Sequence, residues 1–75
     1  MNSISMQLGS NIRAKRKEKC ISQESLALKC GVDRSYMGRI ERGEVNITVV
    51  KLYQIAFALE SDIELILPNL KKIHY

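Results

Sequence analysis

The chain has 75 residues, 27% of them charged and 45% apolar, and a formal net charge of +4. That length makes one small domain, residues 1–75, which buries only about 60% of the surface its unfolded chain would expose, so self-association is a ready source of extra stability. The composition excludes a disordered chain, the two cysteines are too few for a disulfide framework, and no apolar run approaches the ~20 residues that span a bilayer. No membrane partner is expected, and the expected location is the cytoplasm.

The placement of the charge is more informative than its size. Residues 1–42 carry nine Lys and Arg against four Asp and Glu, a balance of +5; residues 43–75 carry three against four, a balance of −1. A positive field confined to one part of a chain is what a nucleic-acid partner requires.

With four Gly, one Pro and apolar residues at helical spacing, the fold is read as all-α. The core is expected over about residues 6–67, with 68–75 as a tail. Residues 1–5 are polar and read as loose, and Ser5 is placed to cap a first helix running to about Lys19. Leu8, Ile12 and Arg16 follow one another at i+4 on its inner face. Arg13, Lys15, Lys17 and Lys19 form an outer face for which solubility is reason enough.

Cys20 and Ile21 lead to Ser22, a good N-cap because its hydroxyl can accept a bond from an orphan amide one turn on. A second helix is predicted over about Gln23–Cys30, ended by Gly31. Asp33 caps a third helix, about Arg34–Arg42, which Gly43 ends. Glu44–Asn46 is a loop. A fourth helix covers about Thr48–Glu60, with Leu52, Ile55, Ala56 and Leu59 at i, i+3, i+4 and i+7. Ser61–Leu67 fits either a short helix capped by Ser61 or Asp62, or a strand in which Ile63, Leu65 and Leu67 alternate. Pro68 ends either one, and Leu70 and Ile73 continue the apolar content.

The segment Gln23–Arg42, QESLALKCGVDRSYMGRIER, meets the demands of two short helices joined by a tight turn. Ala27 is small where the third helix must cross the second. Gly31 tolerates the positive φ of the turn. Leu26, Cys30, Val32, Met37 and Ile40 supply a shared inner face. Arg34, Ser35, Gly38 and Arg39 then project from the start and middle of the third helix, where a recognition helix meets base edges in a major groove.

This segment, with IRAKRK before it and ERG, NIT and VVKLYQIAFAL after it, resembles the phage repressor/Cro-like (Xre) helix-turn-helix family over about Leu8–Leu67. Within that family GVDRSYMGRIERGEVNIT is most similar to the controller proteins of restriction–modification systems. The resemblance implies a compact four- to five-helix bundle of the lambda-repressor-like DNA-binding type, with the helix-turn-helix in helices 2 and 3.

It also implies site residues. Arg34, Ser35, Gly38 and Arg39 match base-contacting positions, with little readout at Gly38, which has no side chain. Gln23, Ser22, Tyr36, Asn46 and Arg42 match positions that hold phosphates, Gln23 also buttressing the third helix. Val45 departs from the controllers, several of which have a basic residue there. Arg16 and Glu41 resemble a buried ion pair between helices 1 and 3. Val49, Tyr53 and Phe57 form a second stripe on helix 4, read either as monomer core or, with Ile63, Ile66 and Leu67, as a dimer interface.

The implied activity is transcriptional regulation by a homodimer on a double-stranded, pseudo-palindromic operator, autoregulatory in the manner of a controller, with RNA polymerase as a further candidate partner. The alternatives are an antitoxin-type module that binds a partner protein as well as DNA, and a small phage-type repressor. No cofactor, metal or catalytic residue is expected: there is no Ser/His/Asp set, no metal cluster and no phosphate-cradling glycine loop, and the single histidine, His74, is terminal.

Overall fold

The computed structural model describes residues 3–69 and 71. They form four α-helices, α1 (Ser3–Glu18), α2 (Gln23–Lys29), α3 (Arg34–Glu41) and α4 (Val49–Ala58), followed by a 3-10 turn over Ile63–Leu65. No strand occurs among the described residues, which decides the ambiguity of the 61–67 segment. Leu70, Ile73 and His74 lie outside the described residues.

Helix starts follow from side-chain caps. Ser22, Asp33 and Thr48 sit in extended backbone just before α2, α3 and α4, and their side-chain oxygens accept from the amides of Ser25, Tyr36 and Lys51. Each satisfies one of the amides that a helix leaves unpaired at its first turn. Ser5 is not a cap. The first helix already runs from Ser3, and Ser5 is buried inside it, its hydroxyl donating to Asn46 Oδ1 at 2.8 Å.

All four helices end alike. In each, a left-handed residue follows the C-cap, and the next amide reaches back to a carbonyl five residues earlier: Ile21 to Arg16, Val32 to Ala27, Glu44 to Arg39 and Ser61 to Ala56, at 2.9–3.0 Å. This pattern satisfies the orphan carbonyls of the last turn and reverses the chain sharply. The left-handed residue is glycine after α2 and α3 (Gly31, φ 69°; Gly43, φ 74°) but Cys20 (φ 58°) after α1 and Glu60 (φ 52°) after α4. Lys19 supports the latter end by donating from Nζ to the Glu60 carbonyl, and Lys51 does the same for α2 through the Cys30 carbonyl.

The fully buried side chains are Ile12 of α1, Leu26 of α2, Met37 of α3, Ile55 and Leu59 at α4, and Ile66 beyond the 3-10 turn. Every element thus contributes to one cluster, joined by Ala27, Cys30, Ile40, Ala56 and Ala58. Burial of each large side chain favours folding by about 1.5–3 kcal/mol. The α1/α3 crossing is close enough that a Cβ on Gly9 would lie 2.4 Å from the Ile40 carbonyl oxygen.

The tail is fixed by polar contacts to α1. Asn11 Nδ2 donates to the carbonyls of Ile66 and Leu67 at 3.1 and 3.2 Å, and the Asn69 amide donates to the Gln7 carboxamide. This anchoring turns Ile66 into the core, where it is 0% exposed. Ile66 therefore cannot belong to a dimer surface, contrary to the expectation from sequence. Leu65 is exposed in its place, beside the exposed Leu67 and the half-buried Ile63.

Candidate nucleic-acid interface

Helix α3 is two-sided. Met37, Ile40 and Glu41 face inward, while Arg34, Ser35 and Arg39 are exposed. An eight-residue helix with Met37 and Ile40 buried at i and i+3 turns Ser35 and Arg39 the other way, while Arg34, one turn before Met37, sits at the flank. Helix α2 packs against α3 with Ala27 buried in the shared core, and the Gly31 turn lets the two meet with only Cys30–Asp33 between them. Arg34, Ser35 and Arg39 are thereby presented on one rigid, solvent-facing surface.

A network beneath that surface ties α1, α2 and α3 together. Arg16 forms a two-pronged pair with Glu41, Nε to Oε2 at 2.7 Å and Nη2 to Oε1 at 3.0 Å. Its third branch, Nη1, donates to the Ile21 carbonyl at 3.0 Å. Gln23, the first residue of α2, donates from Nε2 to Glu41 Oε1 at 3.1 Å. The hydrogen bonds and charge of Glu41 hold the Arg16 guanidinium above its ordinary pKa despite an opposing cost of burial. Gln23 is thus locked against α3 at the N-terminus of α2.

Gly38 is buried under this network and does not join the exposed face. A Cβ there would sit 3.1 Å from Arg42 Nη1 and 3.6 Å from Gln23 Oε1, so its part is to make room for those two side chains. Reading it as a base contact is corrected accordingly: it is buried and brings no side chain to that face. The opening it leaves is a cleft of about 360 Å³ lined by Arg13, Arg34 and Arg42 together with Gln23 and Glu41. Positive groups dominate its edge, which suits a phosphate.

The remaining residues expected to hold phosphates differ in their surroundings. The Ser22 hydroxyl oxygen is engaged as the cap of α2 at 3.0 Å from the Ser25 amide. Tyr36 is half-buried and packs against the core cluster. Asn46 is exposed but linked to Ser5 of α1. Arg42 is exposed and bound to Glu44 at 2.6 Å. Val45 is half-buried and packs against the core. Sequence reasoning missed the part Glu44 plays here, because the signal lies in how the end of α3 reverses the chain.

A second exposed surface is apolar. Val49 and Tyr53 are exposed and Phe57 is 87% exposed, so the monomer core does not use them. Phe57 and Leu65 line an open groove of about 870 Å³ that also takes in Lys15, Lys19 and Lys29. Among the described residues no group of His, Cys, Asp or Glu could hold a metal ion, and no helix is long and apolar enough to cross a membrane.

The helix-turn-helix profile HTH_3 matches residues 12–66, from the inner face of α1 through the buried Ile66. The chain belongs to the helix-turn-helix family. Its relatives in the family include control protein C.MunI of Mycoplasma sp, 40% identical over 60 residues covering 79% of this chain and 81% of that one. The HTH-type transcriptional regulator y4dJ of Sinorhizobium fredii is 40% identical over 63 residues, 83% of this chain and 82% of that one. Among solved structures, the restriction-modification controller protein C.AhdI of Aeromonas hydrophila superposes with a TM-score of 0.78 at 38% identity, covering 81% of this chain and 88% of that one. As a member of the helix-turn-helix family, the chain has α2 and α3 as its eponymous pair, and α3 occupies the recognition position.

Proposed function

We propose that this protein is a sequence-specific transcriptional regulator that binds a pseudo-palindromic operator as a homodimer and controls its own gene, in the manner of the restriction–modification controllers it resembles. The observation that carries this reading is the exposed row Arg34, Ser35 and Arg39 on a helix whose opposite side is locked into the core. An arginine can grip guanine O6 and N7 with two bonds, each such pair being worth about 1–3 kcal/mol of discrimination. Gln23, Ser22, Tyr36, Asn46 and Arg42 would hold the flanking phosphates, with Arg13 beside them at the basic cleft. Phosphate contacts set register and orientation and make binding salt-dependent.

A dimer follows from the apolar stripe Val49, Tyr53 and Phe57, extended by Leu65, Leu67 and Ile63. Pairing through it would cover side chains that one small domain leaves in water. The symmetry sets the spacing: each α3 enters a major groove, with half-site centres about 34 Å apart. The protein acts in the cytoplasm, without cofactor or catalysis, and RNA polymerase is the further partner such a regulator would engage.

The test is a gel shift against the DNA upstream of its own gene, beside an unrelated fragment, at about 0.15 M salt, where non-specific binding is weak. Stepwise binding confined to the upstream fragment is the expected outcome. Equal, weak binding to both would refute the reading. The apolar stripe would then be sought as the site of a partner protein, by co-purification with the product of an adjacent gene.

A further inference from the structure

Glu44 is the second residue beyond the C-cap of α3, directly after the left-handed Gly43. Its amide is tied to the Arg39 carbonyl at 2.9 Å. This reversal brings its carboxylate back along the last turn of α3, onto two arginines of the exposed surface. Arg42 Nε donates to Glu44 Oε2 at 2.6 Å and Arg42 Nη2 reaches Oε1 at 3.5 Å. Arg39 Nε lies 3.9 Å from Oε1.

The side chains of Arg39, Arg42 and Glu44 are 51%, 59% and 37% exposed. An ion pair this open to water adds little to stability, so folding gives no strong reason for it. The Arg42 hydrogen bond holds the Glu44 carboxyl below the usual carboxylate range, so it stays ionised at neutral pH. Glu41, the nearby buried carboxylate, is already committed to Arg16 and Gln23. The open carboxylate of Glu44 therefore lies where a polyanion would approach, holding the groups that would greet it.

We propose that Glu44 is an internal stand-in for a DNA phosphate: it occupies Arg42, and more loosely Arg39, in the free protein and is displaced when Arg42 engages the duplex backbone and Arg39 a base edge. The inference rests on the DNA-binding reading above. Its consequence is a handicap on sequence-independent binding, which is almost wholly electrostatic. Base contacts from Arg34 are outside the pair and keep their strength. Arg42 meets phosphate in operator and non-specific complexes alike, so the handicap lowers affinity for both and weakens their salt dependence.

The experiment compares the full chain with Glu44→Gln on two duplexes, the operator and a scrambled sequence of equal length, by fluorescence anisotropy over a range of salt. Glutamine keeps an oxygen for Arg42 but removes the charge. The variant should bind the scrambled duplex roughly three- to fivefold more tightly. Its plot of log affinity against log salt should steepen by about one unit, with the melting temperature unchanged. Arg42→Ala placed beneath the variant should abolish most of the gain. Unchanged or weaker binding of the scrambled duplex by Glu44→Gln overturns the proposal. So does weaker operator binding without a gain on scrambled DNA, which would make Glu44 a positioning residue for Arg39. If the wild-type chain binds neither duplex, the DNA-binding reading itself falls and this inference with it.

Discussion

Replacing Arg16 with alanine tests the network that holds the recognition helix in place. The Arg16 side chain is 11% exposed and that of Glu41 3%. Arg16→Ala removes two bonds to Glu41 and one to the Ile21 carbonyl. The Glu41 carboxylate would remain buried with Gln23 as its one remaining side-chain donor. Stranding a buried charge in this way costs about 3–5 kcal/mol. In a domain of this size each kcal/mol lowers Tm by roughly 4–8 °C, so a fall of at least about 12 °C is expected. That loss approaches the total stability of many small domains. Thermal unfolding followed by circular dichroism at neutral pH is the assay. Arg16→Lys should fall between, because an ammonium cannot supply the two-pronged fork. The double variant Arg16→Met with Glu41→Leu should recover most of the loss, since the penalty comes from the unpaired charge. A drop of less than about 5 °C for Arg16→Ala would refute the argument that this pair anchors α1 to α3.

Arg34→Ala should weaken operator binding by about 1–3 kcal/mol and relax preference at one base pair, with Tm unchanged; an equal loss on random DNA, read by anisotropy, would contradict base readout. Gly9→Ala gains about 1 kcal/mol of helix propensity, but its Cβ would press on the Ile40 and Glu41 carbonyl oxygens at 2.4 and 2.6 Å. The overpacking cost of about 1–3 kcal/mol should win, lowering Tm. Phe57→Asp, at an 87% exposed position, should leave Tm of the monomer little changed yet shift sedimentation toward the monomer; an unaltered dimer would place the interface elsewhere. Exposed Cys20 should react quickly with a thiol reagent, and buried Cys30 only on unfolding. Burial raises the Cys30 pKa against a smaller opposing pull from Lys51. The unfolded thiol therefore ionises first, and its contribution to stability is present below about pH 8.5 and is lost as pH rises above it. Melts at rising pH check that sign.

What could be read from sequence was whatever depends on residues close together in the chain. Ser22 and Asp33 declared helix starts because a cap acts over three residues. Gly31 and Gly43 declared helix ends because they populate positive φ freely. Cys20 and Glu60 end helices in the same conformation, yet carry no such mark; a non-glycine residue enters that region only when the surroundings hold it there. Ser5 looked like a cap by type, but the amide groups it would have served belong to a helix that begins earlier.

The candidate site divides along the same line. Arg34 lies at the flank, three residues before Met37, and is exposed in the packed structure, while helical periodicity alone put Ser35 and Arg39 on the side opposite Met37 and Ile40. It also placed Gly38 on that exposed arc, and only the packing of Gln23 and Arg42 over it shows that the position is covered. The pairing of Glu44 with Arg42 and Arg39 depends on how the chain reverses after α3, and the periodicity of the helix ends before that point.

The sequence by itself determined four amphipathic helices, the N-caps of α2 and α3 and the tight α2–α3 turn, because these are set by contacts within about one helical turn of chain. Tertiary structure decided the rest. Asn11, fifty-five residues from Ile66, settles the tail as a 3-10 turn and sends Ile66 inward, leaving Leu65 outside. In a seven-residue apolar stretch without its own periodic bias, a partner distant in sequence supplies the hydrogen bonds that choose between conformations.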